Sequence, residues 1–141
     1  MIIQRKFKDI KVGDKASISK TITEHDIYTY AGLVGDFNPV HVNEEVAKNT
    51  MFGGRIAHGM LIAGFISTVL GTGLPGAGTI YITQNLKFLA PVRVGDTITA
   101  EVEILEKYEE KKRFKVKTTV YKQDGKVVID GEALVMLYEK D

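Results

Sequence analysis

Hydrophobic and polar residues alternate along much of this chain, and the alternation is typical of strands that bury one face. Residues 15–22 and 114–120 carry it, and residues 79–89, 96–107 and 127–138 are also predicted to be strands. Gln123-Asp124-Gly125 is a strong signal for a hairpin between residues 114–120 and 127–138. The charged run at 109–112 is predicted to be a solvated hairpin tip. The pattern therefore predicts an antiparallel sheet.

Other segments have the periodicity of helices. Apolar residues spaced three and four apart predict a helix after Thr23, where Asp26 completes a capping box, and Gly35 ends it. Residues 44–49 are predicted to form a further short helix.

The stretch from residue 56 to residue 86 contains no Asp, Glu, Lys or Arg. Within it, residues 60–70 are apolar on all sides apart from Ser67 and Thr68, so this helix is predicted to be buried. It is too short and too interrupted by glycine to be a membrane span of about 20 residues. We therefore expect a single α+β domain over residues 1–141, with an antiparallel sheet, one long apolar helix and an N-terminal helical insertion.

Composition and charge argue against several classes of protein. The net charge of +1 gives no electrostatic case for nucleic acid or for a membrane surface. The absence of cysteine excludes disulfides, thiolate nucleophiles and Cys-ligated zinc. His25, His41 and His58 lack close metal-ligand spacing, so no metal site is predicted. The early charges at the N-terminus leave no apolar core for a signal peptide, and we expect a cytoplasmic protein.

The stretch from Gly35 to His41 carries the candidate chemistry. Asp36 and His41 lie on either side of an Asn38-Pro39 step, and proline disfavours a helix that would run through the residue before it. The two side chains therefore flank a bend, where both can converge on one small molecule such as water. The same residues are also good turn formers without any catalysis, so the flanking pattern must decide between the two interpretations.

That flanking pattern resembles the signature of the MaoC-like dehydratases, the (R)-specific enoyl-CoA hydratases. Tyr30, Leu33, the run Gly35-Asp36-Phe37-Asn38-Pro39-Val40-His41 and Ala47 match it, and Val34 departs from it. Residues 56–61, 74–81 and 91–96 are similar to the same family. The resemblance implies a hotdog fold, in which the sheet wraps around the central helix. It also implies a homodimer, or a higher oligomer, whose sheets join edge to edge.

The resemblance implies hydration of a trans-2-enoyl-CoA, or in reverse the dehydration of a short- to medium-chain (3R)-3-hydroxyacyl-CoA. Asp36 and His41 would hold the water between them, and which of the two takes the first proton stays open. The backbone N–H of Gly59, at the start of the apolar helix, would donate to the thioester oxygen. Coenzyme A is part of the substrate, and no other cofactor is implied.

The remaining site predictions concern support and specificity. Asn38 is expected to fix the bend, and Ser67 either bonds the carbonyl four residues back or lines the site. His58 is interpreted as structural and His25 as a surface residue. The candidates for substrate binding are Phe37, Phe52, Met60, Leu70 and Leu134.

Two other functions remain open at this point. An acyl-CoA thioesterase on the same fold would direct the water at the thioester carbonyl. A non-catalytic acyl-CoA binding protein would have the same shape without turnover. The strand at 79–88 of a partner subunit is expected to contact the pantetheine arm. The absence of a basic cluster leaves coenzyme A and acyl carrier protein undecided as the carrier.

Overall fold

A computed structural model describes residues 1–140 of the chain. A short 3-10 helix at Phe7–Asp9 precedes the first strand. The other elements follow in chain order: β1 (Lys15–Thr21), α1 (Glu24–Val34), α2 (Pro39–Val42), α3 (Glu44–Ala47), α4 (Gly59–Thr72), β2 (Thr79–Phe88), β3 (Thr97–Tyr108), β4 (Arg113–Lys122) and β5 (Val127–Leu137). Each predicted strand and helix is therefore confirmed, with small differences at the ends.

The strands form one antiparallel sheet in the order β1-β3-β4-β5-β2. β3, β4 and β5 are joined by hairpins, whereas β2 comes earlier in the chain and lies at the edge beside β5. The inner face is built by strict alternation, since Ile98, Ala100, Val102 and Ile104 of β3 are all buried. The apolar periodicity of the sequence thus becomes one face of a continuous core.

Helix α4 packs on this inner face and contacts β1, β2, β3 and β4. Ile62, Ile66, Val69 and Leu70 are its most buried residues, at 1–2% exposed. The prediction that the helix is buried on all sides is wrong for the single chain. Met60 is 57% exposed, and Gly64, Ser67 and Thr68 are also exposed, because the sheet covers only one face of the helix.

Between β1 and α4 the chain leaves the sheet and forms the predicted helical insertion, α1 to α3. The capping box at the start of α1 is present in full: Thr23 accepts from the Asp26 N–H, and the Asp26 carboxylate accepts from the Thr23 N–H. The insertion returns over the N-terminal end of α4. No helix in the described part of the chain is long and apolar enough to cross a membrane.

Candidate active site

The backbone between α1 and α2 bends as the sequence predicts. Gly35 ends α1 with a φ of 81°, a left-handed conformation that glycine adopts without strain. Asn38 is extended and caps α2, with its side-chain oxygen accepting from the Val40 N–H at 3.3 Å. The Asp36 carboxylate accepts from the Asn38 N–H at 3.2 Å. Asn38 therefore fixes the bend, and the short α2 carries His41.

The His41 ring is held in one orientation by the main chain. Its Nδ1–H donates to the Ile56 carbonyl at 2.8 Å, which leaves Nε2 as a free proton acceptor in the neutral ring. The side chain is only 9% exposed. Burial lowers the pKa of His41, with a further lowering by His58, against the raising effects of the Ile56 carbonyl and Asp36. His41 is therefore suited to act as a neutral base near pH 7.

Asp36 and His41 face each other across a gap. Ligand atoms of Asp36, His41 and His58 all lie within 4.8 Å of one another. No direct hydrogen bond or ion pair joins the Asp36 carboxylate to either imidazole among residues 1–140. A single water molecule with hydrogen bonds of about 2.8 Å to each partner spans a gap of this size. The predicted arrangement of a carboxylate and an imidazole around a water is therefore sterically feasible.

His58 lies beneath the pair and is 2% exposed. Its Nε2–H donates to the backbone carbonyl of Asp36 at 2.9 Å. Its ring stacks on His41 with a centroid distance of 3.9 Å and an interplanar angle of 28°, and meets Tyr30 at 4.8 Å in a tilted contact. The predicted structural role, in which the ring satisfies a backbone group, is confirmed, but the backbone group belongs to Asp36.

The cluster of Asp36, His41 and His58 has the residue types of a metal site, and its geometry argues against one. Imidazole lone pairs lie in the ring plane, so two rings stacked within 28° of parallel direct their lone pairs side by side. Two histidine ligands of one tetrahedral ion must instead converge on a point about 2.0–2.1 Å from each nitrogen.

Gly59 begins α4 directly after His58. The first N–H groups of a helix have no acceptor within the helix, and they carry its positive dipole end. No acceptor is present for the Gly59 N–H among the hydrogen bonds of the described chain. A Cβ at Gly59 would lie 2.8 Å from the ring of Phe88. Gly59 therefore lets the Phe88 ring pack closely against the helix, and its N–H is free to donate a hydrogen bond.

An apolar cavity of about 410 Å³ opens beside this donor. Its lining comes from the loop before α4, from the end of β2 and from the start of β5: Met51, Phe52, Ile56, Ala57, Gly59, Ile62, Phe88, Leu89, Ala90, Pro91, Val92, Val128 and Ile129. This volume lies within the range of small-molecule sites. The cavity can take an apolar chain whose polar end lies against Gly59.

The other predicted substrate residues are distributed more widely. Phe52 lines the apolar cavity, and Phe37 is 59% exposed next to Asp36. Met60 and Ser67 line a separate groove between α4 and β2. Ser67 makes no hydrogen bond to the Ala63 carbonyl within residues 1–140, so the structure favours its alternative role of lining a site.

Two of the predicted acyl-chain residues lie away from the cavity. Leu70 is 1% exposed within the core. Leu134 lies on the outer face of the sheet, because its neighbours Ala133 and Val135 take the inward positions of β5. The structure therefore does not bring Leu70 and Leu134 to Gly59. His25 lies exposed on α1, as predicted.

Two arginines that the sequence analysis passed over hold the cavity wall. Arg55 donates to Tyr28 at 2.7 Å and pairs with Glu24 and Glu44, which ties the loop before α4 to α1 and α3. Arg93 donates to the Phe52 carbonyl. The available signal for Arg55 was its position as the last charge before a long uncharged stretch.

A long helix packed on one face of a five-stranded antiparallel sheet is the arrangement of the hotdog fold. A profile of the MaoC like domain matches residues 7–126. The chain belongs to the MaoC-like domain family.

Individual relatives are similar over nearly the whole chain. A Rhodospirillum rubrum protein named (R)-specific enoyl-CoA hydratase is 58% identical over 136 residues, covering 96% of this chain and 94% of the relative. The 3-hydroxybutyryl-CoA dehydratase of Methylorubrum extorquens is 46% identical over 96% of this chain and 85% of its own length. The solved (R)-hydratase from A. caviae involved in PHA biosynthesis aligns with a TM-score of 0.89 and 41% identity, over 93% of this chain and 99% of that one.

Proposed function

We propose that this protein is a hydro-lyase that adds water to trans-2-enoyl-CoA thioesters and, in reverse, dehydrates short- to medium-chain (3R)-3-hydroxyacyl-CoA. The observation that carries the proposal is the placement of the Asp36 and His41 side chains. They flank a gap of less than 4.8 Å at the N-terminus of α4, beside an apolar cavity. The names of the relatives agree with this chemistry.

In the proposed reaction the water lies between Asp36 and His41. Nε2 of His41 removes one proton as the water oxygen attacks the β-carbon, and the Asp36 carboxylate accepts a hydrogen bond from the other O–H. The π electrons of the double bond move toward the thioester, and the proton held on His41 is then delivered to the α-carbon. The net change is the addition of OH to the β-carbon and of H to the α-carbon, so the step is redox-neutral and needs no redox cofactor. Each positioned acid–base group contributes typically 10²–10⁴-fold.

The thioester oxygen gains negative charge during this attack. The Gly59 N–H is the donor we assign to it, since it is free and lies at the positive end of α4. The acyl chain then extends into the apolar cavity beside Phe52 and Phe88. One methylene in such a pocket is worth about 1–3 kcal/mol, so the chain-length preference will be graded.

The proposed enzyme is a homodimer joined along the β2 edges. Ile80, Tyr81 and Ile82 of this edge strand are 39–44% exposed, and Met60 of the adjacent α4 face is 57% exposed. A contiguous apolar surface of this kind is typical of an interface, and an unpaired edge strand is a template for another strand. Pairing two β2 strands would cover the groove at Ser67 and bring the partner's edge strand close to the pantetheine arm.

The test is incubation of the purified protein with crotonyl-CoA, with separate measurement of 3-hydroxybutyryl-CoA and of free thiol. Stoichiometric formation of (3R)-3-hydroxybutyryl-CoA without thiol release supports the proposal. Thiol release without the hydroxyacyl product would indicate a thioesterase instead. Saturable binding of crotonyl-CoA with neither product would indicate a non-catalytic binding protein.

A further inference from the structure

We infer that His58 is a positioning residue for the Asp36–His41 pair, holding the backbone of Asp36 through its Nε2–H and the ring of His41 by stacking. This inference rests on the proposed function of that pair. It goes beyond the role of a packed residue, because His58 is the only described side chain that contacts both members by a hydrogen bond or a ring stack.

The bend from Gly35 to Asn38 is exposed, and a loop of this kind is free to move unless its backbone is bonded to the core. Within the described chain, the hydrogen bond from His58 to the Asp36 carbonyl is the link from this bend to α4. The carboxylate of Asp36 stays near His41 because its own peptide group is fixed.

The hydrogen bond from the His41 Nδ1–H to the Ile56 carbonyl sets the orientation of the ring and leaves only a tilt of the ring plane free. The His58 ring, stacked 3.9 Å away, removes this freedom, so the free Nε2 is held in one direction. Tyr30 packs against His58 in turn, at 4.8 Å.

Both ring nitrogens of His58 are enclosed. Its Nε2–H is donated to the Asp36 carbonyl, and its Nδ1 is buried without any partner in the described structure. His58 therefore acts through the placement of Asp36 and His41, and the free Nε2 of His41 remains the proton acceptor.

Two substitutions separate the contacts of His58. His58→Phe keeps a ring against His41 and removes the donor to Asp36. His58→Gln retains an N–H donor near the Nε2 position and removes the ring. The matched control is His25→Gln on the exposed face of α1, where activity should not change. All three variants are first compared with the wild type by circular dichroism and thermal unfolding.

We expect His58→Phe to lower kcat by about 100-fold, the loss that a displacement of about 1 Å can produce, with KM changed less than about twofold. The acid limb of the pH profile should move less than in His58→Gln, because a ring still covers His41 and only the direct lowering of the His41 pKa by His58 is lost. We expect His58→Gln to lower kcat less and to move the acid limb to higher pH, because the ring no longer shields His41 from water. Unchanged kcat and an unmoved pH profile in both folded variants would overturn the inference.

If neither variant folds, imidazole NMR of the ligand-free wild-type protein decides. The nitrogen chemical shifts must show the hydrogen of His58 on Nε2, where it is donated to the Asp36 carbonyl. A hydrogen on Nδ1 instead would overturn the assignment of His58. The NMR result does not depend on turnover. The proposed function is tested separately, and it fails if the wild type has no hydratase turnover.

Discussion

The imidazole rings of His41 and His58 stack face to face, with centroids 3.9 Å apart and planes inclined by 28°. Each ring also donates to a backbone carbonyl, His41 to Ile56 and His58 to Asp36. The reacting groups are thus held by main-chain contacts between the bend after α1 and the residues just before α4. The geometry of the pair therefore depends on the path of the backbone in these two segments.

Asp36→Asn and His41→Gln should each remove most of the hydratase activity. Asp36→Asn keeps the shape of the side chain, His41→Gln keeps a polar side chain of similar length, and each removes the carboxylate or the basic nitrogen that acts on the water. We expect a loss of about 10²–10⁴-fold in kcat for each, with thermal unfolding close to that of the wild type. Asp124→Asn, at the exposed hairpin tip, is the matched control. Near-normal turnover in either folded site variant would contradict the assignment of the pair.

The dependence of kcat/KM on pH should reflect the protonation of His41. Its pKa lies below the ordinary value of 6.5, chiefly because the ring is buried. We expect kcat/KM to be flat above pH 6.5 and to fall only at lower pH, as the folded His41 takes up its proton. A decline that begins well above that value would point to a different base.

The lowered pKa of His41 also makes the free energy of unfolding depend on pH, in a direction that follows from the shift. As the pH falls through 6.5, His41 of the unfolded chain binds a proton that the folded chain does not yet bind. The free energy of unfolding should therefore decrease between 6.5 and the lowered pKa of the folded protein, and His41 contributes its full stabilisation above this window. His41→Gln should lack this component in urea unfolding measured across the window.

Gly59→Ala should destabilise the protein through Phe88. A Cβ at this position would lie 2.8 Å from the Phe88 ring, which must then move. We expect a cost of about 1–3 kcal/mol in the free energy of unfolding, as for other overpacked sites. In a Phe88→Ala background the cost should largely vanish. Gly32→Ala on α1, where the added Cβ meets nothing within 4 Å, should be neutral or stabilising.

Equal costs of Gly59→Ala in both backgrounds would show that the ring contact is not the cause. Chemical denaturation of the four proteins in this double-mutant cycle gives the coupling energy between Gly59 and Phe88 directly.

Phe52→Ala should shift the acyl-chain preference toward longer substrates. The Phe52 side chain lines the apolar cavity, and its removal leaves space for additional methylenes. We expect the ratio of kcat/KM for octenoyl-CoA to that for crotonyl-CoA to rise by about tenfold or more. Leu134→Ala, on the outer face of the sheet, is the comparison and should leave the ratio unchanged. If Leu134→Ala raised this ratio and Phe52→Ala did not, Leu134 would be the residue that sets the chain-length preference.

Ile82→Lys should prevent dimer formation. Ile82 is exposed on β2 and lines the groove next to α4, so a lysine there would place a charge in the proposed interface. Light scattering after gel filtration should give the mass of one chain instead of two. Ser17→Lys on β1, the opposite edge of the sheet, should leave the wild-type mass intact. A monomeric wild type with full activity would refute the dimer.

Local patterns were sufficient to predict most of the fold. The capping box at Thr23 and Asp26 and the left-handed Gly35 depend on neighbouring residues only, and both are present as expected. The burial of α4 depends on what covers it. The hydropathy of residues 60–70 does not distinguish coverage by the chain's own sheet from coverage by another subunit, and for this reason the exposed face at Met60 was missed.

The site could be predicted only where its residues are close in sequence. Asp36, Asn38 and His41 lie on one bend, whereas the contact of His58 with Asp36 joins residues 22 positions apart, and no local pattern reveals such a contact. Leu134 is a different case: residues 133–138 are all apolar, so the sequence does not show which of them face α4, and the burial pattern of β5 is what places Leu134 on the outer face.

The insertion between β1 and α4 supplies Asp36 and His41, yet it adds no strand to the sheet. The acid and the base thus lie outside the sheet, whereas His58 and the proposed donor Gly59 lie at the start of α4, and backbone hydrogen bonds such as that from Ala57 to Val92 join the two stretches. One continuous segment, residues 36–59, consequently holds all of these groups, and any exchange between hotdog proteins aimed at new chemistry must move it as a unit.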